Sequence, residues 1–237
     1  MSRPRSWLAA GLLLAAWAGG ASSRSPLPDT LAQRLLACTA CHGDQGRAGS
    51  DAYYPRIAGK PADYLYNQLI NFREGRRHYP MMTGLLEPLS DAYLREIAAH
   101  FADQHPPYPA PKAPQVSAAV LERGRQLATA GDPSREVPAC VECHGRDLAG
   151  RTPAIPGLLG LPRDYLNAQF GAWQTGLRRT TAPDCMASIA QRLRPEDISA
   201  VSAWLSSQPV TPQAVIERPR SDLPMPCGSV AGRIRTP

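Results

Sequence analysis

Two five-residue runs, Cys38-Thr39-Ala40-Cys41-His42 and Cys140-Val141-Glu142-Cys143-His144, hold four of the six cysteines of this 237-residue chain. Cys-x-x-Cys-His is the spacing that attaches c-type haem. Two thiols so spaced reach the two vinyl groups on one side of a porphyrin and form thioethers. The histidine that follows lies beneath the iron and supplies an axial nitrogen. A redox dithiol or half of a zinc site would use the same cysteine pair. Neither requires the trailing histidine, and a zinc ribbon needs both pairs to converge on one ion. The two motifs therefore predict two covalently bound haem c groups. Cys38, Cys41, Cys140 and Cys143 are the expected attachment points, and His42 and His144 the axial ligands.

A second axial ligand closes the iron to substrate and favours plain electron transfer. Thioether sulfur suits this place, because it is soft and stabilises ferrous iron. Met82 and Met186 each stand seven residues before a leucine, Leu89 and Leu193, at equivalent places in the two halves of the chain. Their shared register predicts them as the sixth ligands. Met81 is out of register, and Met225 reads as packing. His78, His100 and His105 have no counterpart in the other half of the chain and read as surface or partly buried side chains. Cys185 and Cys227 are left over. An even pair in an exported chain points to a disulfide, which would tie the C-terminal tail to the Met186 segment. Thiolate ligation of the iron by Cys185, or two free thiols, are the alternatives.

The elements that position these residues come as a repeat. Pro55, Gly59, Tyr64, Leu65 and Gln68 recur as Pro156, Gly160, Tyr165, Leu166 and Gln169, and Gly75 and Arg77 recur as Gly176 and Arg178. One module is used twice. Each reads as helical. A first helix is expected over 29–37 and 117–129. A middle helix has its apolar face on Leu65, Leu69 and Phe72, or Leu166, Phe170 and Trp173. A last helix carries Leu94, Ile97, Ala98 and Phe101 at i, i+3, i+4 and i+7. Ser90 with Asp91, and Pro195 with Glu196 and Asp197, suit the starts of the two last helices. No strand pattern of any length is apparent. Aromatic residues make up only 6% of the chain, so the porphyrin is expected to complete each core.

Composition narrows the remaining classes. The net charge is +6, two of the positives are Arg3 and Arg5 in an expected leader, and the rest is spread thinly. That is no nucleic-acid footprint. Residues 1–23 read as a signal peptide: two arginines, an apolar run from Trp7 to Ala18, then small residues with cleavage after Ala21 or Ser23. The run is short for a membrane span, so a periplasmic protein is expected, with membrane association at most peripheral. The domains are then 24–106 and 116–207. Between them lies a Pro-rich linker at 107–115 (His105 to Gln115 holds five prolines), and a Pro-rich tail follows at 208–237.

The whole pattern resembles the cytochrome c4 family of dihaem class I cytochromes c. The resemblance rests on the two motifs, the Gly-Lys-Pro-Ala-Asp-Tyr-Leu segment at 59–65 with its echo at 160–166, and a late methionine followed by Leu-Ser-Asp at 89–91. It implies an all-α fold of two tandem class I cytochrome c-like domains, packed about a pseudo-twofold axis. It also implies an electron carrier, not an enzyme, that serves redox protein partners such as a membrane-bound oxidase or dehydrogenase. The long joint, the tail and Cys185 depart from the pattern. Two other functions compete: a dihaem oxidoreductase resembling thiosulfate dehydrogenases, supported only by Cys185 as a haem ligand, and a cytochrome subunit of a dehydrogenase or oxidase complex.

Overall fold

The computed structural model describes residues 29–49, 53–211, 214–219 and 222–230; the expected signal peptide at 1–23 lies outside them. Regular secondary structure in the described chain is almost entirely α-helix. Its helices are α1 (Leu31–Arg34), α2 (Leu36–His42), α3 (Ala62–Arg73), α4 (Pro80–Leu86), α5 (Asp91–Ala102), α6 (Ala118–Thr129), α7 (Cys140–His144), α8 (Arg163–Gln174), α9 (Cys185–Arg192) and α10 (Pro195–Ser207). A two-stranded antiparallel ribbon, β1 (Gly150–Arg151) with β2 (Ile155–Pro156), is the one named sheet among the described residues. Two-residue strands are too short to leave a periodic signal, so the sequence pattern missed them.

The apolar stripes turn inward as their spacing requires. Leu65 and Phe72 of α3 and Leu94, Ile97, Ala98 and Phe101 of α5 are buried together with Leu35 and Leu86. Leu127, Leu166, Phe170, Ile198, Val201 and Leu205 form a second cluster. Helix α5 lies along α3, and α10 along α6 and α8. The crossing of α6 and α10 is close, because a Cβ at Gly124 would stand 2.2 Å from the Ala200 carbonyl oxygen. Ser90 caps α5 by accepting from the Tyr93 amide at 3.3 Å, and Pro195 opens α10.

The halves differ at the motif. In the first, the helix expected over 29–37 runs on through a single interruption at Leu35, itself in the right-handed helical region, into the motif helix α2. In the second, α6 ends at Thr129, and a connector with a short 3-10 turn at Pro133–Arg135 leads to α7. That connector is pinned by ions. Asp197 accepts from Arg123 at 2.8 Å and Arg135 at 2.7 Å, and Asp132 accepts from the same two arginines at 2.8 and 2.7 Å.

The joint and the tail are both held down. Arg56 donates to the Pro106 and Pro107 carbonyls and lies over the Tyr108 ring at 3.8 Å. A Cβ at Gly160 would meet that same ring at 2.3 Å, so Tyr108 packs against both halves. In the tail, the Glu217 amide donates to Gly150 and its carbonyl accepts from Thr152, both at 2.9 Å. The Glu217 carboxylate pairs with Arg151. Cys227 is joined to Cys185, with Cα atoms 4.9 Å apart. Ser229 meets Thr180 through their hydroxyls at 2.5 Å, and its carbonyl accepts from Asn67 of α3 at 3.1 Å.

Candidate functional site

The two motif helices end the same way. His42 and His144 are the last residues of α2 and α7, and each is followed by a glycine at positive φ, 74° for Gly43 and 88° for Gly145. At Gly43 a Cβ would lie 2.3 Å from the Ala48 carbonyl oxygen, so only glycine lets the chain double back here. The return brings a proline carbonyl to each imidazole. His42 Nδ1 donates to Pro55 at 2.9 Å, and His144 Nδ1 to Pro156 at 2.7 Å. Because a carbonyl only accepts, the proton sits on Nδ1 and the Nε2 lone pair is left for a metal.

Both rings are buried, 9% and 7% exposed. Burial holds the His42 imidazole below its ordinary value despite the Pro55 bond. The same cause brings His144 down to about 4. Neutral imidazole is the ligating form. The four motif cysteines form no disulfide. Burial raises the Cys38 thiol, and raises Cys140 to about 12. The two Cys pairs do not converge: among the described residues no three His, Cys, Asp or Glu side chains are grouped to hold a bare metal ion. The zinc-ribbon arrangement is therefore not formed.

Both motifs open on one continuous, largely apolar cavity of about 1110 Å³, above the usual range of roughly 300–1,000 Å³ for small-molecule sites. Its wall includes Cys38, Cys41, His42, Cys140, Cys143 and His144, and also Met82 and Met186. Met82 packs against the first apolar cluster and Met186 against the second, whereas Met81 is 65% exposed. The methionines stand on the short helices α4 and α9 rather than on loops. Asp184 caps α9, accepting from the Ala187 amide at 3.0 Å. Cys185, paired with Cys227, has no thiolate to offer. His78 and His105 are exposed and His100 is half-buried.

The cavity fits haem on three further counts. Its wall is apolar where a porphyrin face needs it. The Trp173 indole N–H is buried, has no hydrogen-bond partner, and belongs to a residue of that wall. Finally, Lys60, Arg77 and Arg178 bring positive charge to the wall, where a propionate-bearing group brings negative charge. Lys60 is only 4% exposed and spans the halves, donating to the Gly157 carbonyl at 2.8 Å. Burial, and then Arg56, lowers its ammonium to about 8.

Arg77, Arg178, Gln68, Gln169, Tyr64 and Tyr165 were legible only as matching positions of the repeat. The structure assembles all six into one hydrogen-bonded cluster between the halves. Repeat symmetry was the available signal: a polar residue kept at the same place in both copies marks a shared surface.

No family model matches the chain. It is 35% identical over 196 residues to the thiosulfate dehydrogenase electron acceptor of Thiomonas intermedia (strain K12), which covers 83% of this chain and 87% of that protein. It is 34% identical over 170 residues to cytochrome c4 of Thiocapsa roseopersicina, covering 71% and 85% of the two chains. Among solved structures it is similar to thiosulfate dehydrogenase (TsdBA) from Marichromatium purpuratum, with a TM-score of 0.64 and 34% identity. That match covers 73% of this chain but 36% of the other, so this chain spans about a third of that longer protein.

Proposed function

As the chain belongs to the cytochrome c4 family of dihaem electron-transfer proteins, we propose that it accepts electrons from a thiosulfate-oxidising dehydrogenase in the periplasm and hands them to a further redox partner. The observation that carries this reading is the 35% identity, over 83% of the chain, to a thiosulfate dehydrogenase electron acceptor. Oxidation of thiosulfate releases electrons in pairs, and two one-electron centres take one each. The competing reading, that the chain is itself a thiosulfate-oxidising enzyme, rested on Cys185 as a ligand. It loses that support with Cys185 in a disulfide.

The bound haems supply one-electron iron chemistry. The chain's own residues set the conditions for it. In this reading Cys38 and Cys41, and Cys140 and Cys143, hold the porphyrins through thioethers. His42 and His144 would offer Nε2 to the iron, each fixed in tautomer and orientation by a proline carbonyl. Met82 and Met186 would offer thioether sulfur, a soft donor that favours ferrous iron. With the porphyrins seated, the largely apolar wall would keep water from them. Export rests on residues 1–23, and among the described residues no helix is long and apolar enough to cross a membrane.

Stopped-flow mixing of the oxidised protein with purified thiosulfate dehydrogenase and thiosulfate tests the assignment. Rapid reduction of both haems at low micromolar acceptor is expected. Reduction no faster than that of an unrelated c-type cytochrome rejects the partner while leaving the carrier role intact.

A further inference from the structure

We propose that Arg77 and Arg178 form one cationic bridge shared by the two haem pockets, each guanidinium serving the propionate carboxylates of both haems, so that the two redox centres behave as a single electrostatic unit. The inference rests on the two haems of the family reading, not on the identity of the redox partner.

The backbone sets up the bridge. Arg77 and Arg178 face each other in an isolated antiparallel pairing. On either side, the His78 amide donates to the Leu177 carbonyl and the Arg179 amide to the Arg76 carbonyl, both at 2.7 Å. The side chains then cross. Arg77 donates to Gln68 of its own half at 2.9 Å, and to Gln169 at 2.7 Å and the Tyr165 hydroxyl at 3.1 Å in the other. Arg178 mirrors this, with Gln169 of its own half at 2.8 Å, and Gln68 at 3.0 Å and the Tyr64 hydroxyl at 3.4 Å across. Ring faces hold the planes in place: Phe72 lies 4.5 Å from the Arg77 guanidinium carbon and Trp173 lies 3.9 Å from that of Arg178.

Every one of these acceptors is neutral. Among the described residues no carboxylate lies within ion-pairing distance of either arginine. Arg178 is only 6% exposed. Two like charges gathered in a buried place with no anion are costly, and the arrangement asks for negative charge from the cavity that both side chains line. The bonds above use three of the five donors on each guanidinium, which leaves two on each for carboxylate oxygens. The field of the pair is visible on Tyr165: burial drives its phenol up, yet Arg77 and Arg178 outweigh burial and hold it below its ordinary value.

A cation beside a haem favours the ferrous form, which carries one more negative charge. If each arginine serves one haem alone, its loss moves one midpoint potential. If the pair is shared, loss of either moves both. Arg77→Gln and Arg178→Gln, each carried in the full chain with both haems attached, are titrated by spectroelectrochemistry, with haem-to-protein ratio and circular dichroism read on the same samples. Each variant is expected to lower both midpoints, and the double variant to lower both further. A shift confined to one midpoint, or none, overturns the bridge. Should Arg178→Gln not assemble, Arg77→Gln decides the matter, because loss of either guanidinium is expected to lower both midpoints, and a single moving midpoint overturns the proposal. A protein that shows the paired shift yet ignores thiosulfate dehydrogenase leaves the bridge standing and removes only the partner assignment.

Discussion

Neighbouring methionines meet opposite fates in this chain. Met81 is 65% exposed, while Met82 packs into the first apolar cluster. If Met82 and Met186 ligate iron, Met82→Ala and Met186→Ala should each open one haem to exogenous imidazole or cyanide and lower that haem's midpoint. Met81→Ala should leave both haems unchanged. Titration of the oxidised variants with imidazole, followed in the Soret band, checks this, and a Met186→Ala protein that binds no added ligand would place another group on the iron. The residue beside Met186 has a separate, structural part. The Cys185–Cys227 bond closes a loop of sequence separation 42, for which chain entropy gives a stabilisation of at most about 4 kcal/mol. Cys185→Ser with Cys227→Ser should therefore lower the melting temperature, measured by circular dichroism, while haem content stays at two per chain.

Among the elements, the connector before α7 depends most on charge. Asp132 and Asp197 bind Arg123 and Arg135 between α6, the connector and α10. The hydrogen bonds from Arg123, Ser134 and Arg135 hold the Asp132 carboxyl far below its ordinary value. Burial opposes the charged form of Asp197, but Arg135 and Arg123 outweigh it, so that this carboxyl too is lowered. Groups depressed in the folded state contribute stability that is complete above the unfolded carboxyl value of about 3.9. That contribution is lost as pH falls from there through the folded values. The second half should accordingly loosen below about pH 4. Asp197→Asn should cost about 2 kcal/mol at neutral pH, less than a fully buried pair because Arg123 still reaches solvent, and should flatten the acid limb of the stability curve. Urea melts at pH 7 and at about pH 2.5, below the unfolded carboxyl value, measure both effects.

At the scale of the whole molecule, the halves share one cavity, one arginine cluster and a buried Lys60 bond. The tail adds contacts to both, through Asn67 and Thr180 to Ser229. Emptying one side should therefore be felt on the other. Cys140→Ala with Cys143→Ala, which removes the second haem's covalent attachment, is expected to lower the unfolding temperature of the entire chain in one transition. Calorimetry that finds the first half melting at its original temperature would make the halves independent bodies.

The chemistry was readable from local spacing, because thioether attachment and axial ligation by histidine depend on residues within one helical turn. Apolar periodicity likewise reported the faces of α3, α5 and α8, since burial on one side of a helix leaves a mark every three to four residues. The repeat carried the twofold logic, and Ser90 and Pro195 marked helix starts by their own hydrogen-bonding and steric habits. Other features depended on the chain meeting itself far away in sequence. The leftover pair Cys185 and Cys227 already pointed to a disulfide, and the fold decides for it over thiolate ligation; only the folded chain shows that Pro55 and Pro156 fix the imidazoles and that Tyr108 wedges the linker against Gly160. The crossing of Arg77 and Arg178 onto each other's glutamines is of the same kind. Nothing in a residue's neighbours along the chain records an approach made across an interface, where packing of two whole modules brings the groups together.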